Sequence, residues 1–216
     1  MRIQPLSPAG LVEELAELIA SRPADRWQRV AIDGPPAAAP ETLAGALVDP
    51  LRVRGRAVLR VSTMDFLRPA SVRLEYGRTN PDAYYESWLD ESALRREVLD
   101  RLAPGGSGRI LPALWDTGSD RATRSGYLTA PPGAVLLVSG AFLLGAGLPF
   151  ELTVHLALSA AALHRRTPPG QAWTLPAFAR YAGEVAPAGF ADVVVRLDDP
   201  AHPAVAFRAG GPSRTG

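Results

Sequence analysis

Residues 133–144, GAVLLVSGAFLL, form a near-continuous apolar run without a single charge. The run is far short of the roughly 20 residues needed to cross a bilayer. Its lack of polar alternation marks a central parallel strand covered on both faces. FELTVHLALS (150–159) has the same character. Strands buried on both sides need amphipathic helices between them, and the chain supplies these. SPAGLVEELAELIAS places Leu11, Val12, Leu15, Leu18 and Ile19 on one helical face, with Ser7 as N-cap and Pro8 at the first helical position. This predicts an N-terminal helix over 7–20.

Further along, RVAID (29–33) reads as a short buried strand, PETLAGALVDPL (40–51) as a helix and AVLRVS (57–62) as a strand. Thr63 to Pro81 is polar, Arg-rich and without a period, as expected of a substrate-covering segment. Residues 81–106 read as two helical pieces stopped by Pro104-Gly105-Gly106, helices follow near 159–167 and 174–184, and DVVVRL (192–197) is a last strand. Strands alternating with helices predict an α/β fold: an open parallel sheet with helices on both faces. The expected division is one domain over 1–205, with 206–216 a flexible, frayed tail.

Composition removes several chemistries. The 216-residue chain has no cysteine, so disulfides and thiolate–metal sites are excluded. All 23 basic residues are arginine, so no mechanism can use a lysine ammonium. A net charge of +1 gives no field for nucleic acid or an anionic membrane. With no membrane-length apolar segment and no signal-like N-terminus, the expectation is a soluble, cytoplasmic protein. His155 lies in an apolar strand and reads as a satisfied core or rim residue. With His164 and His202 at surface positions, no metal-ligand spacing emerges, and no metal ligands are assigned.

In open α/β sheets ligands bind outside the carboxyl ends of the strands. The informative segments are therefore Gly34 to Glu41, Ser62 to Arg68 and Ser139 to Phe142. Five blocks stand in order across roughly residues 28 to 205: VAIDG, STMDFLRPASVRLEYGRTNPDAYYESWLD, APGGSGR, AVLLVSGAFLL and ADVVVRLDDPAHP. In this order and spacing the chain resembles the uridine kinase-like P-loop kinases. The resemblance implies a nucleoside/nucleotide kinase-like P-loop NTPase architecture, ATP as donor with Mg²⁺, and transfer to a nucleoside 5′-hydroxyl. It places Asp65, in MDFLRP, as the base toward that hydroxyl. A carboxylate at a strand's carboxyl end suits that task, and the plain alternative is a residue that caps its loop. Arg68, Arg73, Arg78, Tyr84 and Tyr85 follow the family's substrate-side order, the alternative being a solvated Arg-rich loop beside a helix face. Arg165 and Arg166 stand where a lid begins, and equally complement a helix C-terminus. Gln171 is a weaker contact candidate, and Trp88 reads as core.

The phosphate loop departs from the pattern. Against G-x-x-x-x-G-K-[ST], Gly34 is kept, Ala39 replaces the second glycine, Pro40 the lysine and Glu41 the hydroxyl, with Thr42 one place late. Gly34, Ala39 and Thr42 are the positions that would cradle the nucleotide. Prolines 35, 36 and 40 have no N–H to donate, Ala39 resists a positive φ, and Glu41 brings a negative charge to a helix start that would otherwise attract phosphate. Losing the lysine contact and one or two charge-assisted amide bonds, about 1.5–3 kcal/mol each, weakens binding by orders of magnitude. Read without a ligand, PPAAAPE is a rigid strand–helix connection with Pro at N1. A second departure is Ser139, where an active relative would carry an acid for magnesium. VSGAF lacks the G-x-S-x-G pattern, which argues against a hydrolase.

Three readings follow: an ATP-dependent nucleoside kinase that is weak or lost, a non-catalytic pseudokinase binding a small molecule or a partner protein, and an assembly domain, for instance a homodimer.

Overall fold

The structure, a computed structural model, describes residues 3–208. In chain order the elements are β1 (Ile3–Pro5), α1 (Pro8–Ala20), β2 (Gln28–Asp33), α2 (Pro40–Ala46), α3 (Val48–Val53), β3 (Val58–Ser62), α4 (Ala70–Arg73), α5 (Pro81–Glu86) and α6 (Glu91–Leu94). Four two-residue strands follow, β4 (Arg109–Ile110), β5 (Trp115–Asp116), β6 (Arg121–Ala122) and β7 (Leu128–Thr129). The chain continues through β8 (Val135–Gly140), β9 (Leu152–Ala157), α7 (Ala160–Arg166), α8 (Leu175–Glu184), α9 (Pro187–Phe190), β10 (Val193–Arg196) and β11 (Ala204–Phe207).

The main sheet has the order β1-β11-β10-β9-β2-β8-β3. Its five strands from β10 to β3 pair in parallel, and β11 and β1 join antiparallel at one edge. The sheet is thus mostly parallel rather than wholly so. All six residues of β2 and of β8 are buried, because successive side chains feed two separate cores. Val30, Ile32, Val135 and Leu137 meet Leu15 and Ile19 of α1 and Leu43 of α2 on one face. Ala31, Leu136, Val138 and Val194 meet Leu94, Val98, Phe142 and Phe178 on the other. Ser7 caps α1 as its sequence requires, accepting from the Gly10 amide at 3.0 Å.

Two further expectations need correction. The helix expected over 40–51 breaks at Leu47 into α2 and α3, and Pro50 falls in the first turn of the second piece, where a missing N–H is tolerated. The tail does not fray after Pro203: Ala204–Phe207 pairs with β10 and β1, and the Pro203 carbonyl accepts from the Leu6 amide at 2.8 Å. Ala206 and Phe207, assigned to the tail, are therefore sheet residues, while 209–216 lie outside the described residues. Among the described residues no helix is long and apolar enough to cross a membrane.

Register brings the site together. Asp33 pairs with Gly140 and His155, and Ser62 with Ser139, so these residues share the carboxyl edge of the sheet. Gly140 is required there: at φ +145° an added Cβ would lie 1.9 Å from Thr63 Oγ1.

Candidate functional site at the carboxyl edge

Several backbone donors of the connection from β2 to α2 are already engaged within the fold. The Gly34 amide goes to the Gly140 carbonyl at 3.0 Å, and Pro36–Ala38 form a 3-10 turn in which the Ala38 and Ala39 amides bond the Pro35 and Pro36 carbonyls at 2.8 and 2.9 Å. The Thr42 and Leu43 amides both turn back to the Ala39 carbonyl. Ala39 is left-handed, φ 55° and ψ 53°, so alanine has adopted the conformation that its Cβ disfavours. Gly34 packs so tightly on β9 that a Cβ would stand 2.9 Å from Leu156 Cβ. Thr42 is exposed.

Glu41, in the first turn of α2, fills the space beside this loop. Its Oε1 accepts from Ser62 Oγ at 2.7 Å and its Oε2 from Ser139 Oγ at 2.5 Å. Ser139 is 1% exposed, so its hydroxyl has traded water for this carboxylate. The sequence pattern expects a hydroxyl at 41 and an acid at 139. The chain has the two reversed, and the pair still bonds.

Asp65 follows β3 in a short 3-10 turn, half-buried. Burial raises its carboxyl pKa and the Glu41 charge adds to the rise, against a backbone hydrogen bond from Ser62.

The substrate-side residues do not converge. Arg73 is buried, donating to the Arg68 carbonyl at 2.6 Å, pairing with Asp120 at 3.6 Å and lying 5.2 Å from the centre of the Trp88 ring. It is a strut between loops rather than a free arm. The Arg68 amide bonds the Trp88 carbonyl, and its charge opposes the rise that burial imposes on the Glu91 carboxyl. Arg78 is exposed. The Tyr85 ring lies under the Arg180 guanidinium at 5.0 Å, and that guanidinium is itself held by Asp82, Glu86 and Glu184. Tyr84 packs edge-on against Trp88, Phe142, Trp173 and Phe178. Burial pushes its phenol up to about 12, so it stays a proton donor.

What the fold does bring together is a pocket of about 220 Å³ between the β2–α2 loop and the segment running from α7 to α8. Pro35, Pro36 and Ala37 form one wall, and Leu163 and Phe178 stand among the residues of the other side. Tyr84, Arg166 and Gln171 supply polar groups. Arg165 is exposed and off this wall, and Arg68, Arg73, Arg78, Tyr85 and Asp65 are not among its lining residues either. Asp65 is separated from the loop by β8, roughly 10 Å at two strand spacings.

Sequence reading missed the most buried polar group at this edge. Asp33 is fully buried, with Oδ1 accepting from the Leu143 amide at 2.9 Å and Oδ2 within 2.7 Å of His155 Nδ1 and 3.0 Å of Tyr181 Oη. Tyr181 Oη in turn accepts from the Leu144 amide at 3.1 Å. Burial, and then the Asp33 charge, push the Tyr181 pKa far upward. This network ties β2, β9, the loop after β8 and α8 into one unit. An acid closing an apolar strand in AID was the available signal. Among the described residues no group of three or more His, Asp and Glu side chains could hold a metal ion.

No protein-family model and no curated protein matches the chain. Solved structures do. A protein described as a possible uridine kinase from Bacillus stearothermophilus superposes with a TM-score of 0.69 at 20% identity, over 85% of this chain and 96% of that one. The fold is that of a P-loop kinase. A candidate fructose transport system kinase from Silicibacter gives 0.58 at 22% identity, over 83% and 90% of the two chains. The YGR205w protein gives 0.58 at 10% identity, over 94% and 100%.

Proposed function

We propose that the chain is a uridine kinase-like protein in which phosphoryl transfer from ATP to a nucleoside 5′-hydroxyl is weak or lost, and which retains a small-molecule pocket between loop and lid. The observation that carries this reading is the engagement of Glu41 by Ser62 and Ser139. A carboxylate with both oxygens satisfied by hydroxyls occupies the helix start that would receive phosphate and metal. ATP and Mg²⁺ do not fit the residues present. The Ala38 and Ala39 amides bond the loop's own carbonyls, Pro35, Pro36 and Pro40 have none to offer, and no lysine exists in the chain.

One observation favours residual catalysis as a second reading. The raised pKa of Asp65, at the end of β3, suits a general base better than an ordinary aspartate would. Phosphorus NMR of the protein with Mg-ATP and uridine separates the two. No uridine monophosphate over hours at stoichiometric enzyme is the result expected of lost activity, and its steady accumulation, abolished by Asp65→Asn, is the result expected of weak residual catalysis.

A further inference from the structure

The prolines that spoil a phosphate cradle make a good apolar wall. Pro35, Pro36 and Ala37 face Leu163 and Phe178 across the 220 Å³ pocket, and the phenol of Tyr84 opens onto it with no hydrogen-bond partner among the described residues. Arg166 is the single charged residue of the lining, which contains no acid. The hydrogen-bond acceptor of Arg166 is the neutral Asp198 carbonyl at 2.8 Å, and its charge also acts on the exposed Asp199. The guanidinium therefore keeps donor capacity that no carboxylate contact uses.

The geometry points to a ligand of definite chemistry: a small planar ring bearing a single oxyanion, a carboxylate or a phosphate monoester, bound without magnesium. The ring lies against the proline wall, where Pro35 and Pro36 have no amide to offer a polyphosphate. The oxyanion takes the free donors of Arg166 in a charge-assisted bond, and the Tyr84 hydroxyl, held protonated by burial, donates to it or to a ring substituent. A pocket of this size excludes a nucleoside triphosphate. This inference rests on the reading of the pocket as the site that survives the loss of donor chemistry.

The test is a set of calorimetric titrations of the full chain with benzoate, phenyl phosphate, benzamide, inorganic phosphate and Mg-ATP. Benzoate or phenyl phosphate is expected to bind at least about tenfold more tightly than benzamide, the ratio that one charge-assisted bond supplies, with no change on adding EDTA. Whichever of the two binds more tightly identifies the natural oxyanion as carboxylate or phosphate. Arg166→Gln should reduce the charged ligands to the benzamide level, Tyr84→Phe should weaken them several-fold, and Ala37→Leu should block all of them. Benzamide equal to benzoate, inorganic phosphate equal to phenyl phosphate, or Arg166→Gln without effect overturns the assignment. The ligand comparison on the unaltered protein is independent of how the variants fold. If no ring compound binds and Mg-ATP does not either, this inference alone fails. Magnesium-dependent displacement of a bound ring compound by ATP would instead overturn the proposed function.

Discussion

Ser139 Oγ donates to Glu41 at 2.5 Å, across the gap between the end of β8 and the first turn of α2, while Ser62 Oγ holds the second carboxylate oxygen at 2.7 Å. The carboxylate is thereby the anion that this helix start would otherwise recruit from solvent or substrate. Glu41→Ala removes two charge-assisted bonds and leaves the buried Ser139 hydroxyl without its acceptor. The expected loss is about 2–3 kcal/mol in a urea denaturation, with Glu41→Gln losing less. A change below about 0.5 kcal/mol would show the contact to be dispensable.

Restoring the P-loop pattern's residues at three of the four altered positions should restore nucleotide binding in part. The combined Pro40→Lys, Glu41→Thr and Ser139→Asp protein is expected to gain weak, magnesium-dependent nucleotide affinity by calorimetry, with Glu41→Thr alone gaining none. No gain in the combined variant would place the whole defect in the backbone of Pro35 to Ala39, where two positions are proline and the Ala38 and Ala39 amides are already engaged.

Ala39 sits at φ 55°. Ala39→Gly should relieve about 1 kcal/mol of left-handed strain and raise the thermal midpoint accordingly. An unchanged or lowered midpoint would mean that the turn is set by the flanking prolines and not by this residue.

Asp65 carries the pH prediction. Its folded-state pKa is raised, so between the ordinary carboxyl value of 3.8 and that raised value the folded protein binds more protons than the unfolded one. Its contribution to stability therefore falls as pH rises through that window. Asp65→Asn should remove this fall, so the variant gains on the parent as pH climbs above about 4. Because the Glu41 charge adds to the shift, Glu41→Gln should narrow the window. A constant difference between variant and parent across pH 3 to 7 would contradict the shift, and is read from urea midpoints at each pH.

The central strands were legible because an apolar run with no alternation has few homes other than a sheet covered on both sides. β1 and β11 were not. Ile3–Pro5 and Ala204–Phe207 are three and four residues long, and only their pairing with each other and with β10 makes them strands. The loop's defect could be read locally, since proline lacks an N–H in any fold. The Glu41–Ser139 bond could not: the two residues are 98 positions apart, and the register of β8 against β3 brings both serines to one carboxylate. The burial of Arg73 was illegible for the same reason, since it depends on Trp88 and Asp120 rather than on its neighbours in sequence. His155, read as a satisfied core or rim residue, is one, with Asp33 as its partner from 122 positions away.

The central claim is that the β2–α2 bend cannot hold a nucleoside triphosphate. Calorimetric titration of the unaltered protein with ATP, in magnesium and again in EDTA, tests it most directly. The expected result is no saturable heat in either at millimolar ligand. Micromolar, magnesium-dependent binding that is lost when Ala37 is replaced by Leu would contradict it.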